Sequence, residues 1–124
     1  MAFLNDAKAF AQKLPVRSVE RLIMDFLLQQ GVGRQNAQPW SVIEDHLQRH
    51  GHIVRQQTFQ QGLLKQSRES AVFIGSSDHG PRGYFLIRDK DDAEIMRQWY
   101  ERRIEIEQGH LDQLNRVINQ EFPA

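Results

Sequence analysis

Apolar residues recur at helical spacing along most of this chain, and the period changes at only one place. In "AVFIGSSDHGPRGYFLIRD" two β-rich runs, 71–74 and 84–87, flank a segment full of turn-forming residues. Such a pattern predicts a β-hairpin with a longer tip, "SSDHGPR", exposed and flexible and carrying Arg82. With helical periodicity on both sides of it, the expected fold class is mainly α with one β-hairpin.

Before the hairpin the spacing predicts four helices. Phe3, Ala7, Phe10, Ala11 and Leu14 mark the first, over about 2–14, which Pro15 interrupts. Val19, Leu22, Ile23, Phe26 and Leu27 form one buried stripe over 16–30, with Gly31 and Gly33 at its end. "RQNAQ" reads as a polar connector. In the next helix, 39–50, Trp40, Ile43 and Leu47 share a face, Pro39 suits the first turn and Gly51 is a C-terminal stop. Over 55–69, Phe59, Leu63 and Leu64 mark the buried side of the fourth, and Gly62 between them would let a neighbouring helix approach. After the hairpin, Asp89 is an N-cap for a helix over about 90–119, with Asp91, Asp92 and Glu94 where the helix dipole favours anions. The expected organisation is an N-terminal helix 1–15, a compact domain 16–88, a long helix 89–120 and a tail 121–124.

A length of 124 residues suits one domain with an appended helix, and a 40% hydrophobic content is too high for a disordered chain. The absence of cysteine excludes a disulfide framework and thiolate chemistry. Asp6 and Lys8 interrupt the N-terminal apolar residues, which therefore do not read as a signal peptide, and no apolar run is long enough to span a bilayer. The expectation is a soluble cytoplasmic protein that does not engage membranes. Its 16 cationic and 16 anionic side chains cancel in sum but not in place. Between 49 and 88 cations prevail, with Arg49, Arg55, Lys65, Arg68, Arg82 and Arg88 against Glu69 and Asp78. From Asp89 onward acids prevail. This asymmetry suggests an anion-binding module joined to a segment with another task.

The helix "RQQTFQQGLLKQSRES" is the most informative stretch. A helix made only for solubility would mix Glu with Lys, because opposite charges four apart stabilise it. Here the polar side carries Gln56, Gln57, Gln60, Gln61 and Gln66 with Arg55, Lys65 and Arg68, and only Glu69 is acidic. An amide donates and accepts at once, as an adenine edge requires, while Arg and Lys reach guanine or phosphate. Gln57, Gln61, Lys65 and Arg68 would form one outward stripe, with Gln56 and Gln60 beside it. The bland reading is that glutamine is a good helix former on a solvated face.

Helices followed by a hairpin, together with "TFQQGLLKQ" and "GYFLIRD", resemble the winged helix-turn-helix superfamily of DNA-binding domains over about 16–88. The long acidic helix after the second wing strand is similar to small members from phages and mobile elements. The chain departs from that pattern in its long connector "GVGRQNAQPW" and in having no small polar residue before Arg55. The resemblance implies that the helix at 55–69 enters the major groove of double-stranded DNA and that the wing touches the backbone.

A helix of about 45 Å, at 1.5 Å per residue, is too long to bury its apolar side on a domain of this size. Ile104, Leu111, Leu114 and Ile118 form a partial heptad seam, broken by Glu107 and Gly109. The expected partner is a second copy of the chain, with Phe3, Phe10 and Leu14 completing the interface and Trp99 and Tyr100 as packing anchors. Packing of the long helix back onto its own domain is the rival reading.

Other patterns carry less. His46 and His50 are four apart, near His52, but no third ligand is fixed, so no metal is expected. "GVGRQN" lacks the lysine and spacing of a phosphate-binding loop. Asp78 and His79 have no serine partner beyond their immediate neighbours. Neither an enzyme nor a cofactor is expected. The leading expectation is a homodimeric, sequence-specific DNA-binding transcription regulator. A protein adaptor or inhibitor on a winged-helix scaffold, and a replication or partition accessory protein, are the alternatives.

Overall fold

The computed structural model describes residues 2–70 and 73–123. The chain is mainly helical, with one two-stranded antiparallel hairpin and a long C-terminal helix. Its contacts divide it into two units, Met1–Ala93 and Glu94–Ala124.

The first unit opens with α1 (Ala2–Lys13) and α2 (Val19–Gln30). Ser18 starts α2: its backbone is extended and its hydroxyl accepts from the Arg21 amide at 3.2 Å, satisfying one of the free donors of the first turn. Ile23, Met24 and Leu27 are buried, while Val19, Leu22 and Phe26 pack at the edge of the core. Helix α3 (Trp40–Arg49) ends in a Schellman motif. The His52 amide donates to Leu47 at 2.9 Å and the Gly51 amide to Gln48 at 3.0 Å, with Gly51 at φ 84°, where a side chain would be strained. The stop expected at Gly51 therefore holds.

Next comes one continuous helical run, 56–70, composed of α4 (Gln56–Phe59), a π-helical turn (Gln60–Leu64) and α5 (Lys65–Ser70). Phe59, Leu63, Leu64 and Ser67 are buried, and the Ser67 hydroxyl is satisfied by the Leu64 carbonyl at 2.9 Å. Gly62 corrects one expectation. It is exposed, and a Cβ built there would meet open space, so no neighbouring helix uses the gap.

The hairpin pairs β1 (Ile74–Ser77) with β2 (Gly83–Leu86), Ile74 facing Leu86 and Ser77 facing Gly83. The first strand thus begins where the sequence expectation ended it and runs to Ser77; Ala71 and Val72 lie outside the described residues. Gly75 is required by its cross-strand partner, since a Cβ there would stand 2.6 Å from Cζ of Phe85.

The last residue of the polar connector, Gln38, and the two glycines before it, Gly31 and Gly33, bond to strand β2. The Gly33 amide donates to Leu86 at 2.9 Å and the Leu86 amide to Gly31 at 2.8 Å; Gln38 and Tyr84 exchange both backbone bonds at 2.8 and 2.9 Å. Strand β2 therefore has backbone partners on both edges. Gly83, at φ 133°, passes so close to Gln38 that any Cβ would overlap its carbonyl group.

Asp92 closes the start of α6 (Lys90–Glu121) onto this assembly. Its buried carboxylate accepts from the backbone amides of Arg34 at 3.3 Å and Arg88 at 3.0 Å. Asp89 caps the helix as expected, accepting from the Asp92 amide at 3.0 Å, and that bond, ahead of the neighbouring Arg88, lowers its pKa from the usual aspartate value. In the second unit α6 continues as a single helix, every described residue from 101 onward exposed.

Candidate nucleic-acid interface

The run 56–70 is held by aromatic packing beneath its exposed side. Phe59 stacks on Trp40 of α3 with centroids 5.4 Å apart and meets Tyr84 of β2 edge-on at 4.7 Å. Large rings fix both the height and the rotation of the helix, because offset and edge-on geometries are preferred over a sliding contact.

That rotation divides the candidate residues into three groups. Arg55, Gln57, Gln61 and Lys65 are exposed. Lys65 has an ion pair with Glu69 at 3.8 Å, a solvated contact worth little. Gln56 and Gln60, also exposed overall, have their amide nitrogens anchored on one acceptor: Nε2 of each donates to the Tyr84 hydroxyl, at 2.9 and 3.2 Å. Arg68 forms the third group and corrects the expected stripe. It is half-buried and donates from Nη2 to Ser76 Oγ of β1 at 3.2 Å, bracing the helix against the hairpin.

The π-helical turn explains the departure. Each π-type ring holds one residue more than an α-type ring, so positions beyond Gln60–Leu64 are delayed by about one residue, roughly 100° on a 3.6-residue wheel. Wheel spacing places Arg68 beside Gln57; the extra residue turns it toward the hairpin. Period alone gives no sign of this. Tyr84 and Ser76 escaped the sequence reading for a related reason, since their roles arise across the sheet–helix contact. The available signal was weak: a tyrosine in an otherwise apolar strand needs a partner for its hydroxyl.

Arg82 is exposed in the hairpin tip, one residue before the last strand pair. Among the described residues neither Arg55 nor Arg82 enters an ion pair. The exposed side of the run and the tip therefore carry cations without compensating acids, apart from Glu69 and Asp78.

The residues expected at a chain–chain interface fall into two sets. Phe3, Phe10 and Leu14 are half-buried; Phe10 and Leu14 pack on the core of their own unit, Phe10 lying 5.2 Å from the Phe73 ring. Only the remaining surface of these three residues is open to solvent. Ile104, Leu111, Leu114 and Ile118 are open, at 67, 49, 55 and 42% exposure. Ile106 and Val117, missed by the heptad reading, are also exposed. Trp99 and Tyr100 are half-buried and meet edge-on at 5.0 Å, with the Arg103 guanidinium 5.1 Å from the Trp99 ring centre.

His46 lies between the Phe26 ring, at 4.7 Å, and the His50 ring, at 4.6 Å. Burial, then the nearby His50 and Arg49, lower its pKa, with Asp45 opposing. His50 is occupied, its Nδ1–H donating to the His46 carbonyl at 2.9 Å. Among the described residues no three His, Cys, Asp or Glu side chains converge as metal ligands, and no helix is long and apolar enough to cross a membrane.

Comparison with protein families, with curated proteins and with solved structures finds no match to this chain.

Proposed function

We propose that residues 16–88 act as a winged helix-turn-helix domain that binds double-stranded DNA with sequence preference, two chains together, in transcription control. The observation that carries this reading is the exposed side of the run 56–70, where Gln57, Gln61 and Lys65 stand with Arg55 and acids are nearly absent. Phosphates would repel a face of glutamates; amides and cations suit base edges and backbone. The bracing supports the same reading. Backbone bonds tie β2 to Gly31, Gly33 and Gln38, and Arg68 and Tyr84 tie the helical run to the hairpin, a bracing of the kind a reading head requires.

Arg68 braces the fold, so the informative substitutions lie at Gln57 and Lys65. In a polarisation titration with random duplex DNA at two salt concentrations, affinity should fall steeply with salt, the logarithmic slope being about −0.9 for each phosphate neutralised. Gln57→Glu with Lys65→Glu should remove binding and leave the circular dichroism unchanged. Unaltered affinity in that variant sinks the proposal.

The exposed apolar residues of α6 favour one second reading, a protein adaptor that uses the same scaffold. In that case the wild-type chain binds duplex DNA weakly, and the double variant binds it no worse.

A further inference from the structure

We infer that α6 pairs with α6 of a second copy in the antiparallel sense, centred near Gly109. This rests on the two-chain reading above and not on DNA binding.

Along α6 runs a seam at alternating spacings of three and four: Arg97, the half-buried Tyr100, and the exposed Ile104, Glu107, Leu111, Leu114, Ile118 and Glu121. Such a seam is what two-stranded helical pairing requires. Its apolar members are among the most exposed large hydrophobics of the chain. The seam also carries charges at Arg97, Glu107 and Glu121, and these decide the orientation.

In a parallel pair in register, each seam residue faces its own copy. Arg97 would then meet the partner's Arg97, Glu107 the partner's Glu107 and Glu121 the partner's Glu121. Like charges directly opposed within an interface select against that arrangement. Reversing one helix about Gly109 removes all three conflicts at once. Arg97 faces the partner's Glu121, an opposite-charge pair at each end of the contact. Tyr100 faces the partner's Ile118, and Ile104 the partner's Leu114. Glu107 faces the partner's Leu111, where its methylenes pack and its carboxylate reaches the edge. A face complementary to its own reversal in both charge and apolar content fits a second copy better than an unrelated protein.

The absence of cysteine makes the test clean. Ile104→Cys and Leu114→Cys chains are prepared separately and co-expressed, then oxidised mildly, and light scattering at micromolar concentration gives the mass of the unmodified chain. The inference expects twice the chain mass, halved by Leu111→Asp with Leu114→Asp. It also expects a disulfide-linked dimer from the co-expressed pair and almost none from either variant alone. Efficient cross-linking of each variant to itself overturns it in favour of a parallel pair. Dimer mass with no cross-link in any sample overturns it while leaving the two-chain reading intact. Monomer mass ends both, and DNA affinity measured on the same samples remains a separate result.

Discussion

The run 56–70 and the outer part of α6 are both amphipathic helices, yet they use their two sides in opposite ways. In the run, Phe59, Leu63 and Leu64 are buried in the core, Phe59 against Trp40 of α3 and Tyr84 of the hairpin, and the amide-rich side faces solvent. In α6, Ile104, Leu111, Leu114 and Ile118 repeat the same kind of spacing and are exposed. Periodicity states that a side is apolar; only a surrounding core turns it into stability. The run is therefore fixed by its buried side, while the apolar side of outer α6 stays exposed.

The largest expected effect separates the two directly. Phe59→Ala should destabilise the first unit by about 3–5 kcal/mol in urea unfolding, as removal of a buried ring does. Leu114→Ala, measured at high dilution, should change it by less than about 0.5 kcal/mol, as a surface change does. Comparable losses would mean that the α6 stripe is already covered within one chain.

Next in size is Gly83→Ala. A Cβ at φ 133° against the Gln38 carbonyl forces 31–38 and β2 apart, and should cost more than about 1 kcal/mol. Hydrogen exchange at the Gln38 and Tyr84 amides should quicken together, since each donates to the other's carbonyl. A stable variant with protected amides would show that the bracing of the hairpin is not rigid.

Smaller effects are expected from the two open helical glycines. Gly62→Ala in the run and Gly109→Ala in α6 meet no atoms, so each should stabilise its own helix by up to about 1 kcal/mol. A loss at Gly62 would indicate that the π-helical turn needs the glycine. The mildest effect concerns pH. His46 has its pKa lowered chiefly by burial, so the folded state favours the neutral ring. Stability from this group is fully present above the ordinary histidine value of 6.5 and is lost as pH falls from there toward the depressed folded value. A His46→Gln chain should show a flatter stability profile over that window; an unchanged slope would assign it to another group.

The helices were legible because their signals are local: the stripe of α2, the glycine stop after α3 and the Asp89 cap each lie within a few residues of what they control. The candidate face was legible only in part. Gln57, Gln61 and Lys65 are as exposed as their spacing implies, whereas Arg68 turns to Ser76 and Gln56 and Gln60 to Tyr84. The polar character of "RQNAQ" gives no sign that Gln38, and Gly31 and Gly33 before it, bond to β2 through their backbone.

By itself, then, the sequence determined which segments are helical, where they stop, and which stretch combines amides with cations. Backbone propensity, capping and hydrophobic period act over a turn or two, so one chain read in order suffices for them. Tertiary structure alone decided that β2 has partners on both edges, that a π-helical turn swings Arg68 toward the hairpin, and that the apolar side of α6 is left open. Each of those depends on groups distant in sequence competing for the same space and the same hydrogen bonds, and that competition exists only once the chain has folded.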